Sequence, residues 1–125
     1  MRRDNMAHDN AADSEEARRL CEAACLVETP EEAWAFLSDL LSPREMSDLA
    51  QRLEVATLLR SGRSYVDVSR ATGASSTTVS RVNKCLHGGS GGYRLVLERL
   101  DGAVSVAERG KAEENEDSEI QGRQG

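Results

Sequence analysis

Apolar side chains recur along this chain at three- and four-residue intervals, and nowhere do they alternate as a half-buried strand requires. Ala17, Leu20, Cys21, Ala24 and Val27 form the first such series, behind Ser14 as a helix N-cap and Glu15 and Glu16 in the first turn. Thr29-Pro30-Glu31-Glu32 and Ser42-Pro43-Arg44-Glu45 share one design: a hydroxyl cap, proline at the first helical position and a glutamate at the third. Each predicts a helix start. The second helix carries Ala33, Phe36, Leu37 and Leu40. The third carries Met46, Leu49, Ala50, Leu53, Ala56 and Leu59, and stops near Gly62.

Ser64-Tyr65-Val66-Asp67 predicts a further cap and a short fourth helix that ends at Gly73. Ser75 or Ser76 caps a fifth that runs to about Leu86. The run His87-Gly88-Gly89-Ser90-Gly91-Gly92 cannot continue a helix cheaply and reads as a hinge. Tyr93–Leu100 then predicts a last helix, reaching toward Val106. The expectation is an all-α fold of six helices over residues 14–106, between a flexible arm at 1–13 and a disordered acidic tail at 107–125. Such short amphipathic helices make a thin core, so a homodimer that buries apolar faces between subunits is expected.

Charge changes this picture. The net charge of the chain is −6, but it is −6 over residues 1–41, +4 over 42–100 and −4 over 101–125. An acidic protein thus has a basic middle. No apolar run approaches the roughly 20 residues of a membrane helix. The N-terminal stretch lacks the apolar segment of a signal peptide, so a cytoplasmic location with no membrane partner is expected. Cys21, Cys25 and Cys85 are odd in number with no framework spacing. Cys21 and Cys25 share a helix face, but a metal would need two more ligands and His8 and His87 are far away in sequence, so all three read as small apolar residues in a reducing compartment. No nucleophile motif, His–carboxylate pair or GK[ST]-ended phosphate loop is present, so neither an enzyme nor a bound metal or cofactor is expected.

The basic middle contains a segment without acids, Ala71–Leu86, ATGASSTTVSRVNKCL. Two short helices joined at Thr72-Gly73-Ala74-Ser75 predict a helix-turn-helix over residues 64–87. On the second helix, Val79, Val82 and Leu86 share one face and would pack on Val66 and Val68. Thr77, Ser80, Arg81 and Lys84 share the other. A major groove admits a helix with short leading side chains, whose hydroxyls meet phosphates and base edges, while arginine pairs with guanine. Candidate DNA-binding residues are therefore Ser75, Ser76, Thr77, Thr78, Ser80, Arg81 and Lys84, with Arg63 and Arg70 as phosphate contacts. Residues 63–87 hold four cations and one acid, Asp67.

The string LSPREMSDLAQRLEVATLLRSGRSYVDVSRATGASSTTVSRVNKCL resembles the tryptophan repressor superfamily, and GASSTTVSRVNKCLHGGSGGYRLVLERL is similar to its TrpR-related YerC/YecD family. The likeness covers residues 17–101. It implies an intertwined homodimer with helix-turn-helix reading heads, Tyr65–Thr72 as the first helix of the head and Ser75–Leu86 as the recognition helix. It implies as partner a double-stranded DNA operator with two half-sites about one DNA turn apart. It also implies Arg52 and Arg81 as the pair that would hold a tryptophan co-repressor, with Cys85 near the ligand's amino group. Two positions depart from the pattern. Val82 stands where tryptophan repressors have a glycine beside the indole, and Cys85 replaces a hydroxyl residue. A branched side chain takes up ring space and a thiol bonds weakly.

The expectation is therefore a sequence-specific DNA-binding regulator, a repressor, without tryptophan dependence. A repressor gated by tryptophan or a related small molecule is the first alternative. A protein-interaction module that does not bind DNA is the second.

Overall fold

The computed structural model describes residues 14–103, so the expected arm and tail, and the end of the last helix, lie outside the described residues. These contain six helices and no strand: α1 Glu15–Leu26, α2 Pro30–Leu40, α3 Pro43–Arg60, α4 Tyr65–Thr72, α5 Ser76–Gly88 and α6 over 92–103. The chain divides into two units, the first ending at Met46 and the second beginning at Ser47.

The predicted caps account for the first unit. Ser14 Oγ accepts from the Ala17 N–H at 2.9 Å, and Thr29 Oγ1 from the Glu32 N–H at 3.1 Å. Glu32 Oε1 turns back to accept from the Glu28 N–H, one residue before the cap. Ser42 and Glu45 complete a reciprocal box: Ser42 Oγ accepts from the Glu45 N–H at 3.1 Å, and Glu45 Oε1 accepts from the Ser42 N–H at 2.8 Å. These bonds favour the ionised form, and the Glu45 pKa is lowered, first by the bond from the Ser42 backbone and then by that to its side chain. No residue of α1 or α2 is buried, and Leu26 and Trp34 are 76% and 65% exposed. Cys21 and Cys25, read as small apolar residues, are free thiols and are also exposed.

The core lies in the second unit. Val55 and Ala56 of α3, Val68 of α4, Ala74 in the turn, Val79, Val82 and Leu86 of α5 and Leu97 of α6 are all buried. Leu58, Leu59 and Tyr93 pack against them. Burial of a valine-sized side chain stabilises by roughly 1.5–3 kcal/mol, so this aliphatic cluster dominates the unit's stability. At the end of α3 the Arg63 N–H donates to the Leu58 carbonyl and the Gly62 N–H to that of Leu59, the paired bonds of a Schellman motif. An ion pair between Arg60 and Asp101 links α3 to α6.

The predicted partner Val66 is not in this core. It is 65% exposed, while Val68 is fully buried. Two residues along a helix are about 200° apart, so only one of the pair can face α5, and the buried one is Val68.

Candidate nucleic-acid interface

α4 and α5 are held at a fixed angle by the turn between them. Gly73 ends α4 with φ 77°, and its N–H donates to the Ser69 carbonyl. A side chain in this left-handed conformation costs free energy, so glycine suits the position. Thr72 Oγ1 donates to the Val68 carbonyl at 2.7 Å and accepts from the Ala74 N–H at 3.2 Å. Ser69 Oγ donates to the Ala74 carbonyl, and Gln51 of α3 donates to the Thr72 carbonyl at 3.2 Å. With Ala74 4% exposed, the turn is pinned by both packing and hydrogen bonds. α4 starts with Ser64 Oγ accepting from the Asp67 N–H, and α5 with Ser75 Oγ accepting from the Thr78 N–H, both at 3.1 Å.

The two sides of α5 separate as expected. Val79, Val82 and Leu86 are buried. Ser76, Thr77, Ser80, Arg81 and Lys84 line a shallow open groove along the outer side. The groove has a sixth wall, Tyr65 from the first turn of α4, which sequence reasoning did not assign to the site. An aromatic directly after a serine cap, at a position that the core does not claim, was the available signal. Arg63 and Arg70 are exposed on the α4 side and do not line the groove. Among the described residues no carboxylate pairs with Arg63, Arg70, Arg81 or Lys84.

Two of the expected site residues sit elsewhere. Ser75 is occupied as the cap of α5, and its hydroxyl also donates to Thr78 Oγ1 at 3.1 Å. Thr78 is half-buried and turns to a second hollow, of about 390 Å³, that it lines with Arg52, Arg81, Val82, Cys85 and Tyr93. The structure thus gathers Arg52, Arg81 and Cys85 around one hollow. Val82 contributes to its wall while remaining 3% exposed. Arg81 borders both the groove and this hollow. Among the described residues there is no group of three His, Cys, Asp or Glu side chains placed to hold a metal, and no helix long and apolar enough to cross a membrane.

The model of the Trp repressor protein family matches residues 15–101. YerC of Bacillus subtilis, itself an uncharacterised protein, is 46% identical over 70 residues, which are 56% of this chain and 67% of YerC. Among solved structures, a TrpR-like protein from Eubacterium eligens is 39% identical. It superposes with a TM-score of 0.69, covering 74% of this chain and 95% of that one. A proposed Trp repressor from Staphylococcus aureus is 30% identical, with a TM-score of 0.68 and coverage of 81% and 95%.

Proposed function

The chain belongs to the Trp repressor family, and from that premise we propose that it is a sequence-specific DNA-binding transcriptional regulator, a repressor, that acts as a homodimer. The observation that carries this reading is the outer side of α5: hydroxyls and two cations around an open groove, with no acid on the helix and, among the described residues, no carboxylate paired to the cations. Residues 64–87 act as a helix-turn-helix, with α5 in the major groove. Ser76, Thr77, Ser80 and Arg81 face base edges, and Lys84, Arg63, Arg70 and the Tyr65 hydroxyl face phosphates. Ser75 and Thr78 serve this surface from behind, by fixing the start of α5.

Dimerisation follows from the apolar side chains that α1, α2 and α3 leave uncovered, including Leu20, Leu26, Trp34, Leu40, Leu49 and Leu53. A second copy would cover them and present two reading heads to two half-sites about 34–36 Å apart. Selection of bound sequences from a random DNA pool tests both points. Enrichment of a two-fold symmetric site with that spacing is the expected result, and recovery of no sequence overturns the reading. Arg81→Ala with Lys84→Ala should weaken binding to the selected site by roughly tenfold or more.

One observation favours a second reading, that a small molecule gates the regulator. Arg81 borders both the groove and the hollow that holds Arg52 and Cys85, so an occupant of the hollow would bear on the groove. The hollow's volume, about 390 Å³, falls in the range of small-molecule sites. Ligand binding would then raise the melting temperature and the DNA affinity together. If millimolar tryptophan shifts neither, tryptophan is not that ligand.

A further inference from the structure

We propose that Val66 is a specificity residue that reads a thymine methyl group in the operator. The inference rests on the DNA-reading function above and adds to it a base and an apolar contact. Val66 is 65% exposed on α4, an 8-residue helix with a single buried residue, Val68. It falls four residues before Arg70, the spacing that places two side chains along one side of α4, and three after Arg63, which precedes the Ser64 cap and lies outside the helix. Val66 is an apolar side chain that lies in the chain between two exposed cations, neither of which pairs with a carboxylate among the described residues, the neighbouring exposed Asp67 included. Tyr65 stands next to it, 44% exposed, and lines the groove that α5 forms with Arg81 and Lys84.

Charge complementarity selects the occupant of this strip. A polyanion that engages Arg63 on one side and Arg70 on the other brings Val66 against the surface between its phosphates. In B-form DNA the apolar group presented in the major groove is the thymine C5-methyl, and contact between an apolar side chain and that methyl discriminates thymine from the other bases. Lysine, arginine or a hydroxyl at this position would read donors and acceptors. A β-branched side chain with no polar atom has few rotamers to lose and no hydrogen bond to leave unmade. The contact would place a thymine outside the bases faced by α5, so the half-site extends beyond the reach of the recognition helix.

The test uses the full chain and the site recovered by selection. Each thymine of one half-site is replaced in turn by deoxyuridine, which lacks only the methyl group. For the unaltered protein, one replacement should weaken binding by roughly fourfold, the size expected for one buried methyl. For Val66→Ala the same replacement should change affinity little, while its affinity for the thymine site falls by a similar factor. Val66 is exposed, so the variant should fold normally, and its circular dichroism and melting temperature check this. Equal affinity of the unaltered protein for every thymine and deoxyuridine site overturns the inference and leaves the DNA-reading function standing. So does a Val66→Ala loss that is the same on both DNAs, which would make Val66 a contact between protein copies. If no DNA is bound at all, the underlying reading fails and the inference with it.

Discussion

At the scale of single residues, two glycines are required for different reasons. Gly73 has φ 77°, and Gly73→Ala should lower stability by about 1 kcal/mol, measured by urea denaturation. Gly89 has an ordinary φ of −85°, but a Cβ there would lie 2.6 Å from the Cys85 carbonyl oxygen. Backbone cannot move aside as a side chain can. Gly89→Ala should therefore destabilise, whereas Gly92→Ala, which opens onto free space, should not. Equal effects of the two would contradict the close approach. Glu45 supplies a pH-dependent contribution. Its pKa is lowered from the ordinary 4.5 by the bonds from Ser42, so its stabilisation is complete above 4.5 and is lost as pH falls through the lower folded value. Glu45→Gln should flatten that part of the acid limb of a stability-against-pH curve.

At the scale of elements, helix starts were legible because a cap is a local event. Ser14, Thr29, Ser42, Ser64 and Ser75 each make the backbone bond that their sequence setting predicts. The choice between Val66 and Val68 was not legible. Both are apolar, α4 spans little more than two turns and has no other large aliphatic side chain to mark a face, and only the packing of α5 distinguishes them. The groups around Arg81 were legible only in part. Helical spacing separated the Thr77–Lys84 side from the Val79–Leu86 side, but Tyr65 and Tyr93 come to Arg81 from other helices, through tertiary structure. The α4–α5 pair depends on its small core. Val79→Ala removes two fully buried methyl groups and should cost about 2 kcal/mol, with DNA affinity falling as the helix angle loosens. Val66→Ala should cost under about 0.5 kcal/mol, the usual limit for an exposed position.

At the scale of the whole molecule, periodicity shows which side of a helix is apolar but not what covers it. The exposed Leu20, Leu40 and Leu49 lie where the pattern placed the apolar faces of α1, α2 and α3, yet the described residues do not bury them. If a second copy does so, the melting temperature should rise with protein concentration, and Leu53→Glu should abolish that dependence. Charge is also divided along the chain, with a basic centre between acidic ends, and the whole-chain charge of −6 hides the surface that matters. The central claim is that this surface meets phosphates. The most direct test is the affinity for the selected DNA site as a function of salt, for the unaltered protein and for Arg81→Ala with Lys84→Ala. The expected result is a linear fall of log K with log salt, with a slope that shrinks in the variant by about 0.9 for each phosphate contact removed. An affinity that does not change with salt, or a slope that is the same in both proteins, would contradict the account.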